Sequence, residues 1–587
     1  MGDLGKQPIT LVEIDLPYCS LTYGVSPCTA VLGTTGSVKC FNCRSTCQDV
    51  TNYDETTKTV IYATNQDGIP DEAGVFPALK SVSTRSAEIN LSGFDPKSTA
   101  LGTRARVSFT LQDFADADTW LDKYQSERVS GAALASAVGY SPIARGSHLS
   151  RLTSRFPYYN GIPVRVRRGY VGDARVDMPT EYYVMSGIDG PNAAGIVSCT
   201  AKDVLDLVDN KKATYPAAST GKLLSAIMET DTSATLTPSG IGSEYASSGL
   251  IRIGSEIMAY TLSGDDLTLA RAQEGTTAST HAALDLVQEC AVLDGVRISD
   301  AIETILSDND AFVASYIDST AWQEEYDTWL GGFKIGRVII SEATGKTQLV
   351  GELCQLGVMV WADPESQSII LKANAPIGPD ESYIYLNDDE NNVRGSIDIA
   401  KSEDQRASSI WLFHGVKSWT ATMSDAQNYD KLSISAPAEN LYGTEAIKKI
   451  YSRWFGRAGN DATAGVISER LLSRYEQTPT LVSGSLDVKD RDAIKLGTRV
   501  MLETYLLQDV DGAVLAHPMQ INYAEYSEGR VKYKAESFRL EGAFSFWMDS
   551  ATAPTNWDSA TDEQRTRGAF WDDATNLGQM GNGYGYF

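Results

Sequence analysis

The sequence predicts a mainly β, α+β chain divided into several domains, and three observations predict it. Residues 101–113 alternate, with Ala105, Val107, Phe109 and Leu111 on one face and Arg104, Arg106, Ser108 and Thr110 on the other, which is the period of a half-buried strand. Residues 250–290 read as a compact β unit whose apolar residues lead into a hairpin turn at Ser263-Gly264-Asp265-Asp266. The chain has 587 residues, and at roughly 100–200 residues per domain that length holds several domains.

The elements follow in order. A second strand is expected over 160–172, where Val164, Val166 and Tyr170 are interrupted by Arg165, Arg167 and Arg168. Its basic side reads as a solvated strand face, with a subunit contact as the alternative. Ala201 to Asp209 reads as a short helix, and the Ser/Thr/Ala/Gly-rich stretch 213–248 as a boundary or long loop. Helices are expected near 296–307 and 344–356, the second leading into a hairpin through Val358-Met359-Val360-Trp361 and Ile369-Ile370-Leu371. Helices near 444–455 and 462–475, then strands near 480–488, 497–507 and 530–539, complete the pattern. The C-terminal stretch repeats itself loosely at Trp547-Met548-Asp549, Trp557-Asp558-Ser559 and Trp571-Asp572-Asp573. Aromatic anchors on such a Gly/Asp/Thr-rich segment suit docking on a partner, or packing back on their own domain.

Composition narrows the function classes. Hydrophobic residues make up 42% and charged residues 21%, which is ordinary globular usage. No run of about 18 apolar residues occurs, so no membrane helix is expected. Lys and Arg number 50 against 76 Asp and Glu, a net charge of −26. That balance argues against a protein built to grip nucleic-acid phosphates and suits a wall along which a polyanion slides without sticking. No G-x-S-x-G elbow, H-E-x-x-H helix or P-loop is present. The acidic runs Asp265-Asp266 and Asp388-Asp389-Glu390 read as solvated turns. No reaction is specified, and the chain is expected not to be an enzyme.

One feature of the sequence does carry chemistry. Five of the eight cysteines, Cys19, Cys28, Cys40, Cys43 and Cys47, fall in one 29-residue window with the spacing C-x8-C-x11-C-x2-C-x3-C. Disulfides suit small secreted domains that lack a core, whereas this chain is long and the count is odd. Residues 1–8 show no basic segment followed by an apolar one, so no secretory signal is expected and synthesis in a reducing cytosol is. A metal site is therefore the favoured reading. Zinc usually takes two Cys knuckles or a knuckle with a His pair, and the four histidines, His148, His281, His414 and His517, are scattered. Iron–sulfur ligation needs four thiolates, and spacing alone leaves both metals open, with iron–sulfur ahead. Cys199, Cys290 and Cys354 lie in apolar patterns and read as buried core thiols.

The run Leu16-Pro17-Tyr18-Cys19-Ser20-Leu21-Thr22-Tyr23-Gly24, with Pro27-Cys28-Thr29-Ala30, Lys39-Cys40-Phe41-Asn42 and Thr46-Cys47-Gln48-Asp49, resembles the opening of the tail-tip (baseplate) hub proteins of long-tailed bacteriophages. Two later runs add to the likeness: Pro163 to Tyr170 with Thr200 to Leu205, and Gly249 to Tyr260 continuing through Arg271 to Ala278. The resemblance covers most of residues 10–375 and is weak after about 440. It implies that Cys19, Cys28, Cys40 and Cys47 hold an iron–sulfur cluster, 4Fe-4S in type, with Cys43 a surplus thiol or an alternate ligand. It implies two tube-like β-barrel domains with smaller β and α/β domains inserted. The corresponding division is 1–75, cysteine-rich module; 76–215, first barrel; 216–292, small β domain; 293–440, α+β domain; 441–540, second barrel; and 541–587, docking tail.

The function implied is structural: a homotrimeric ring at the tail tip that lines the DNA channel without binding DNA specifically. Its implied partners are the distal tail protein above, the central fibre or receptor-binding proteins below, and the tape measure protein. The implied location is the virion, after assembly in the bacterial host cytoplasm. The alternatives are a zinc-stabilised cell-wall hydrolase of the tail and an iron–sulfur redox protein.

Overall fold

The computed structural model describes residues 7–64, 74–91, 101–136, 140–330, 333–375, 383–434, 445–456, 461–487, 494–527 and 530–538, with three short strands beyond. It is mainly β with several sheets and a minority of helix, as the alternating segments predict. The chain divides into two compact units: Met1–Ala87, Arg104–Leu207 and Ala362–Ile369 form one, and Glu88–Thr103, Val208–Trp361 and Ile370–Phe587 the other.

The first unit is built on one eight-stranded sheet. Its strands are β1 (Pro8–Cys19), β2 (Glu55–Ala63), β3 (Val75–Phe76), β4 (Leu79–Arg85), β5 (Arg106–Gln112), β6 (Pro163–Tyr170), β7 (Thr180–Asp189) and β8 (Ile196–Lys202). They lie in the order β3-β2-β1-β6-β7-β8-β5-β4. The predicted alternation of β5 holds: Val107, Phe109 and Leu111 are buried and the residues between them are not. Helices α1 (Gln125–Ser130) and α2 (His148–Arg155) lie in the long connection from β5 to β6. The cysteine window is the connection between β1 and β2, so it is grafted directly onto this sheet.

The basic side of β6 is not a solvated face. Glu13, buried in β1, receives Arg165 Nε at 2.6 Å, Arg167 Nε at 2.7 Å and Arg175 Nη1 at 2.8 Å. Arg165 also bonds Asp15 at 2.5 Å, and Arg168 pairs with Glu181 at 2.6 Å. Burial alone would raise the Glu13 carboxyl, but the three guanidinium groups hold it below its usual range. The arginines thus lock β1 to β6, whose register runs from Pro8↔Tyr170 to Ile14↔Val164.

Two expected helices are replaced. Ala201 and Lys202 finish β8, and Asp203 then accepts from Ala105 N at 2.7 Å and Leu205 N at 3.1 Å, leaving only a 3-10 turn over Val204–Val208. Residues Ile447–Tyr451 form a strand parallel to Ser409–Val416; β-branched and aromatic side chains there find a sheet neighbour, and tertiary pairing overrides helical spacing. The helices Ile298–Ser307, Lys346–Cys354 and Asp461–Tyr475 form where expected.

In the second unit, a seven-stranded sheet includes Lys222–Leu223 and Ser233–Thr237, so the stretch expected as a loop contributes strands. Its hairpin turns at Ser263↔Asp266, as read from sequence. A six-stranded sheet gathers Thr480–Asp487, Arg499–Gln508, Val514–Ser527 and Arg530–Ser537 with two short strands, Ile384–Asn387 and Asp398–Lys401. The repeats of the C-terminal tail lie outside the described residues, apart from short strands at Phe546–Trp547, Gly568–Phe570 and Tyr584–Tyr586.

The run from Arg271 onward has a structural role beside the seven-stranded sheet. Glu256 is buried and accepts from Arg271 Nε (2.8 Å) and Nη2 (2.7 Å), Ala272 N (3.0 Å) and Ser279 N (3.1 Å), with His281 Nε2 at 2.9 Å. Burial opposes the charge, but these partners win and bring the carboxyl down to about 2 from its ordinary 4.5. A depressed carboxyl stabilises the fold fully above its unfolded value and loses that contribution as pH falls through its folded one. Thermal unfolding should therefore show a loss between about pH 4.5 and pH 2 that Glu256→Gln abolishes. The same variant should cost about 3 kcal/mol at neutral pH, read as an earlier melting of this sheet.

Candidate metal centre

Local bonding explains how a strand end and two turns come together around the cysteines. Cys19 ends β1 and pairs with Glu55 of β2. Its N donates to Asn42 O at 2.7 Å, while Asn42 Nδ2 donates to Cys19 O at 3.2 Å and Leu21 O at 3.1 Å. Asn42 adopts a φ of 54°, a left-handed conformation that Asn tolerates better than most residues. It turns the chain so that Cys40 and Cys43 flank the end of β1. A 3-10 turn over Arg44–Thr46 then carries the chain to Cys47, with Phe41 N donating to Thr46 Oγ1 at 3.0 Å. Cys28 follows a turn closed by its own N on Val25 O at 2.9 Å. That segment is tied to the far end of the window by Thr29 N and Oγ1 on Asp49 Oδ2, at 2.6 and 2.9 Å.

All five predicted cysteines line one cavity of about 20 Å³, together with Leu21, Ala30 and several polar side chains. They are free thiols. Burial pushes the Cys40 thiol up to about 11, and the neighbouring thiols that raise it further are Cys47, Cys28 and Cys19. Burial also raises Cys47, with Cys19 and Cys28 again among the causes. Cys43 instead has its Sγ 3.3 Å from Ser45 Oγ and 3.1 Å from Thr46 Oγ1, and is fully buried. The thiols do not close to single-ion contact: among the described residues no three His, Cys, Asp or Glu side chains group tightly enough to hold one metal ion. The donor set is soft and partly buried. Soft thiol donors of this kind suit both iron–sulfur ligation and zinc. Cys199, Cys290 and Cys354 are buried elsewhere, and burial raises each to about 12.

Sequence reasoning missed what anchors this loop. The Phe41 ring is flanked by two guanidinium groups, Arg128 at 3.8 Å and Arg155 at 4.2 Å from its centroid. Each is fixed by its own buried carboxylate: Arg128 Nε on Asp122 at 2.7 Å, and Arg155 Nη1 on Asp118 at 2.9 Å. Arg128 Nη2 also donates to Cys40 O at 2.8 Å. Beside them Lys39 bonds Glu127 at 2.7 Å, and Tyr124 Oη accepts from Tyr23 N at 2.7 Å. These partners lie about a hundred residues from the cysteines, and no spacing rule signals them.

No family model matches the chain, and no curated protein matches it in sequence. Among solved structures it is similar to the tail protein from Neisseria meningitidis MC58, at 9% identity and a TM-score of 0.37, over 79% of this chain and 98% of that one. It is similar to the 43 kDa tail protein of prophage MuSo2 from Shewanella oneidensis, at 10% identity and a TM-score of 0.35, over 78% and 94% of the two chains. A third is prophage tail protein gp18 from Listeria monocytogenes EGD-e, at 11% identity and a TM-score of 0.30, over 65% and 86%. Likenesses this loose carry no weight for fold or activity.

Replacing Phe41 tests the anchor directly. Phe41→Leu removes both cation–π contacts while keeping an apolar side chain, and should cost about 1–2 kcal/mol. The expected signature is faster amide hydrogen exchange confined to residues 39–47 with the strands unaffected. Unchanged exchange there would refute the anchoring role.

Proposed function

We propose that this chain is the structural hub of a bacteriophage tail tip and that Cys19, Cys28, Cys40 and Cys47 hold an iron–sulfur cluster in it. The observation that carries the reading is the convergence of Cys19, Cys28, Cys40, Cys43 and Cys47 on one cavity. Four of them are those that the resemblance assigns as ligands, and the fifth, Cys43, has its Sγ beside two hydroxyls. The cluster, when bound, supplies a cross-link among four points of the loop between β1 and β2; the thiols must lose their protons to accept it.

In this reading the chain is not an enzyme. It assembles as a homotrimer, a closed ring that suits cyclic symmetry. It joins the distal tail protein and tube above to the central fibre or receptor-binding proteins below, meets the tape measure protein, and lines the DNA channel. The net charge of −26 supports a passage that repels DNA. The location is the virion tail tip, reached after assembly in the host cytoplasm.

The test is elemental. Anaerobically purified protein should contain about four iron and four sulfide per chain, with a broad thiolate-to-iron absorption, and should run as a trimer. Serine at any one of positions 19, 28, 40 or 47 should remove most of the iron, whereas Cys43→Ser should retain it. Stoichiometric zinc without iron would overturn the cluster and favour the zinc-stabilised hydrolase. Iron retained with monomeric behaviour would overturn the ring.

A further inference from the structure

The walls of the cysteine chamber carry polar side chains whose hydrogen bonds can be accounted for one by one. Tyr23 Oη donates to Gln48 Oε1 at 2.6 Å. Gln48 Nε2 donates to Val38 O at 2.6 Å. Asn42 Nδ2 is shared between Cys19 O and Leu21 O. Asn52 Nδ2 donates to both oxygens of Asp49, at 3.2 and 3.0 Å, and the Asp49 carboxylate is an acceptor only. One hydroxyl is left over: Tyr53 lines the same chamber, and its buried Oη has no hydrogen-bond partner among the described residues. The unpartnered Asn42 Oδ1 is an acceptor and has nothing to give a sulfur.

A buried hydroxyl without a partner costs about 1–3 kcal/mol, so this one calls for an acceptor that the protein alone does not supply. Its surroundings say which. After burial and Glu55, the groups that raise the Tyr53 hydroxyl's ionisation are the thiols of Cys19, Cys43 and Cys47. Tyr53 lines the same cavity as Cys19, Cys28, Cys40 and Cys47, and burial keeps its hydroxyl protonated. The ring is set in place from behind, with Arg44 5.8 Å from its centroid and Tyr53 N on Val50 O at 3.3 Å.

We propose that Tyr53 donates its hydroxyl hydrogen bond to a sulfur of the bound cluster, either a ligating thiolate or an inorganic sulfide, and so sets the cluster's reduction potential. The inference rests on the iron–sulfur reading above. A donor facing sulfur withdraws electron density and favours the reduced, more negative state, so it raises the potential. Thiols in the metal-free protein are poor acceptors, whereas a thiolate or sulfide bound to iron is a charged one.

The experiment is a potentiometric titration of the full chain, followed by visible absorption, with iron measured on the same samples. Tyr53→Phe removes one oxygen. It is expected to keep the wild-type iron content and to lower the midpoint potential. Tyr53→His, which restores a ring donor, is expected to recover part of the shift. Equal midpoints at equal iron content would overturn the role of Tyr53 and leave the cluster reading standing. Iron absent from the wild type would overturn both. Loss of iron from Tyr53→Phe with recovery in Tyr53→His would support the donor role, whereas loss from both variants would overturn it in favour of simple packing.

Discussion

The geometry of the cysteine chamber depends on a half-buried phenylalanine ring flanked by two arginines. Phe41 lies between Cys40 and the Asn42 turn in sequence, so wherever its ring is fixed the thiols on either side follow. Arg128 and Arg155 fix it, and Asp122 and Asp118 fix them. Buried ion pairs are poor sources of net stability, because desolvation offsets most of the Coulomb attraction. The Arg128–Asp122 pair is almost wholly shielded, with side chains 1% and 0% exposed, and Arg128 Nη1 goes without a partner. An apolar cluster of the same volume would hold the loop down as firmly. It would not give Cys40 O a charged donor at 2.8 Å, nor present two flat cations to one ring. The arrangement supplies position more than stability, and position is what brings the cysteines to one cavity.

A second constraint reaches the chamber through the sheet. Cys19 is the last residue of β1, and β1 is held on one side by its pairing with β2 and on the other by the arginines of β6 gathered on Glu13. A slip of one residue would turn every side chain of β1 to the other face, take Glu13 out of its guanidinium cage and point Cys19 away from the other thiols. Register, the buried carboxylate and the first ligand are therefore coupled. The same strand that closes the sheet's core with Leu11 and Val12 delivers the cysteine.

These relations mark what the sequence can and cannot reveal. Strands such as β5 are legible because alternation is a local property, and so is the cysteine window, because unusual residues cluster within it. The basic side of β6 is locally ambiguous: Arg165 bonds a carboxylate 152 residues away, and nothing near it in sequence separates a solvated face from an ion-pair cage. Ile447–Tyr451 misleads for a related reason, since its sheet partner Ser409–Val416 decides its state. Cys43 shows the limit at closest range. Its spacing does not separate it from Cys40 or Cys47, and nothing in the spacing signals the hydroxyls of Ser45 and Thr46 that lie beside its sulfur.

The bonds that shape the loop have one property in common. Asn42 to Cys19 and Leu21, Thr29 to Asp49, Tyr23 to Gln48, Gln48 to Val38 and Arg128 to Cys40 all run between backbone and side-chain oxygen and nitrogen atoms. None of them uses the sulfur of Cys19, Cys28, Cys40 or Cys47. The path of the chain is thus specified largely by groups other than these sulfurs, although the backbone at Asn42 and Asp49 also hydrogen-bonds the Cys40 and Cys47 thiols. Burial favours the neutral thiol at Cys40 and Cys47, so the metal-free chamber avoids the repulsion of clustered thiolates. Small zinc domains behave differently: there the metal supplies the folding energy outright. Here the eight-stranded sheet and the Phe41 anchor bear the loop without any metal, so the walls of the chamber are set by the protein's own contacts.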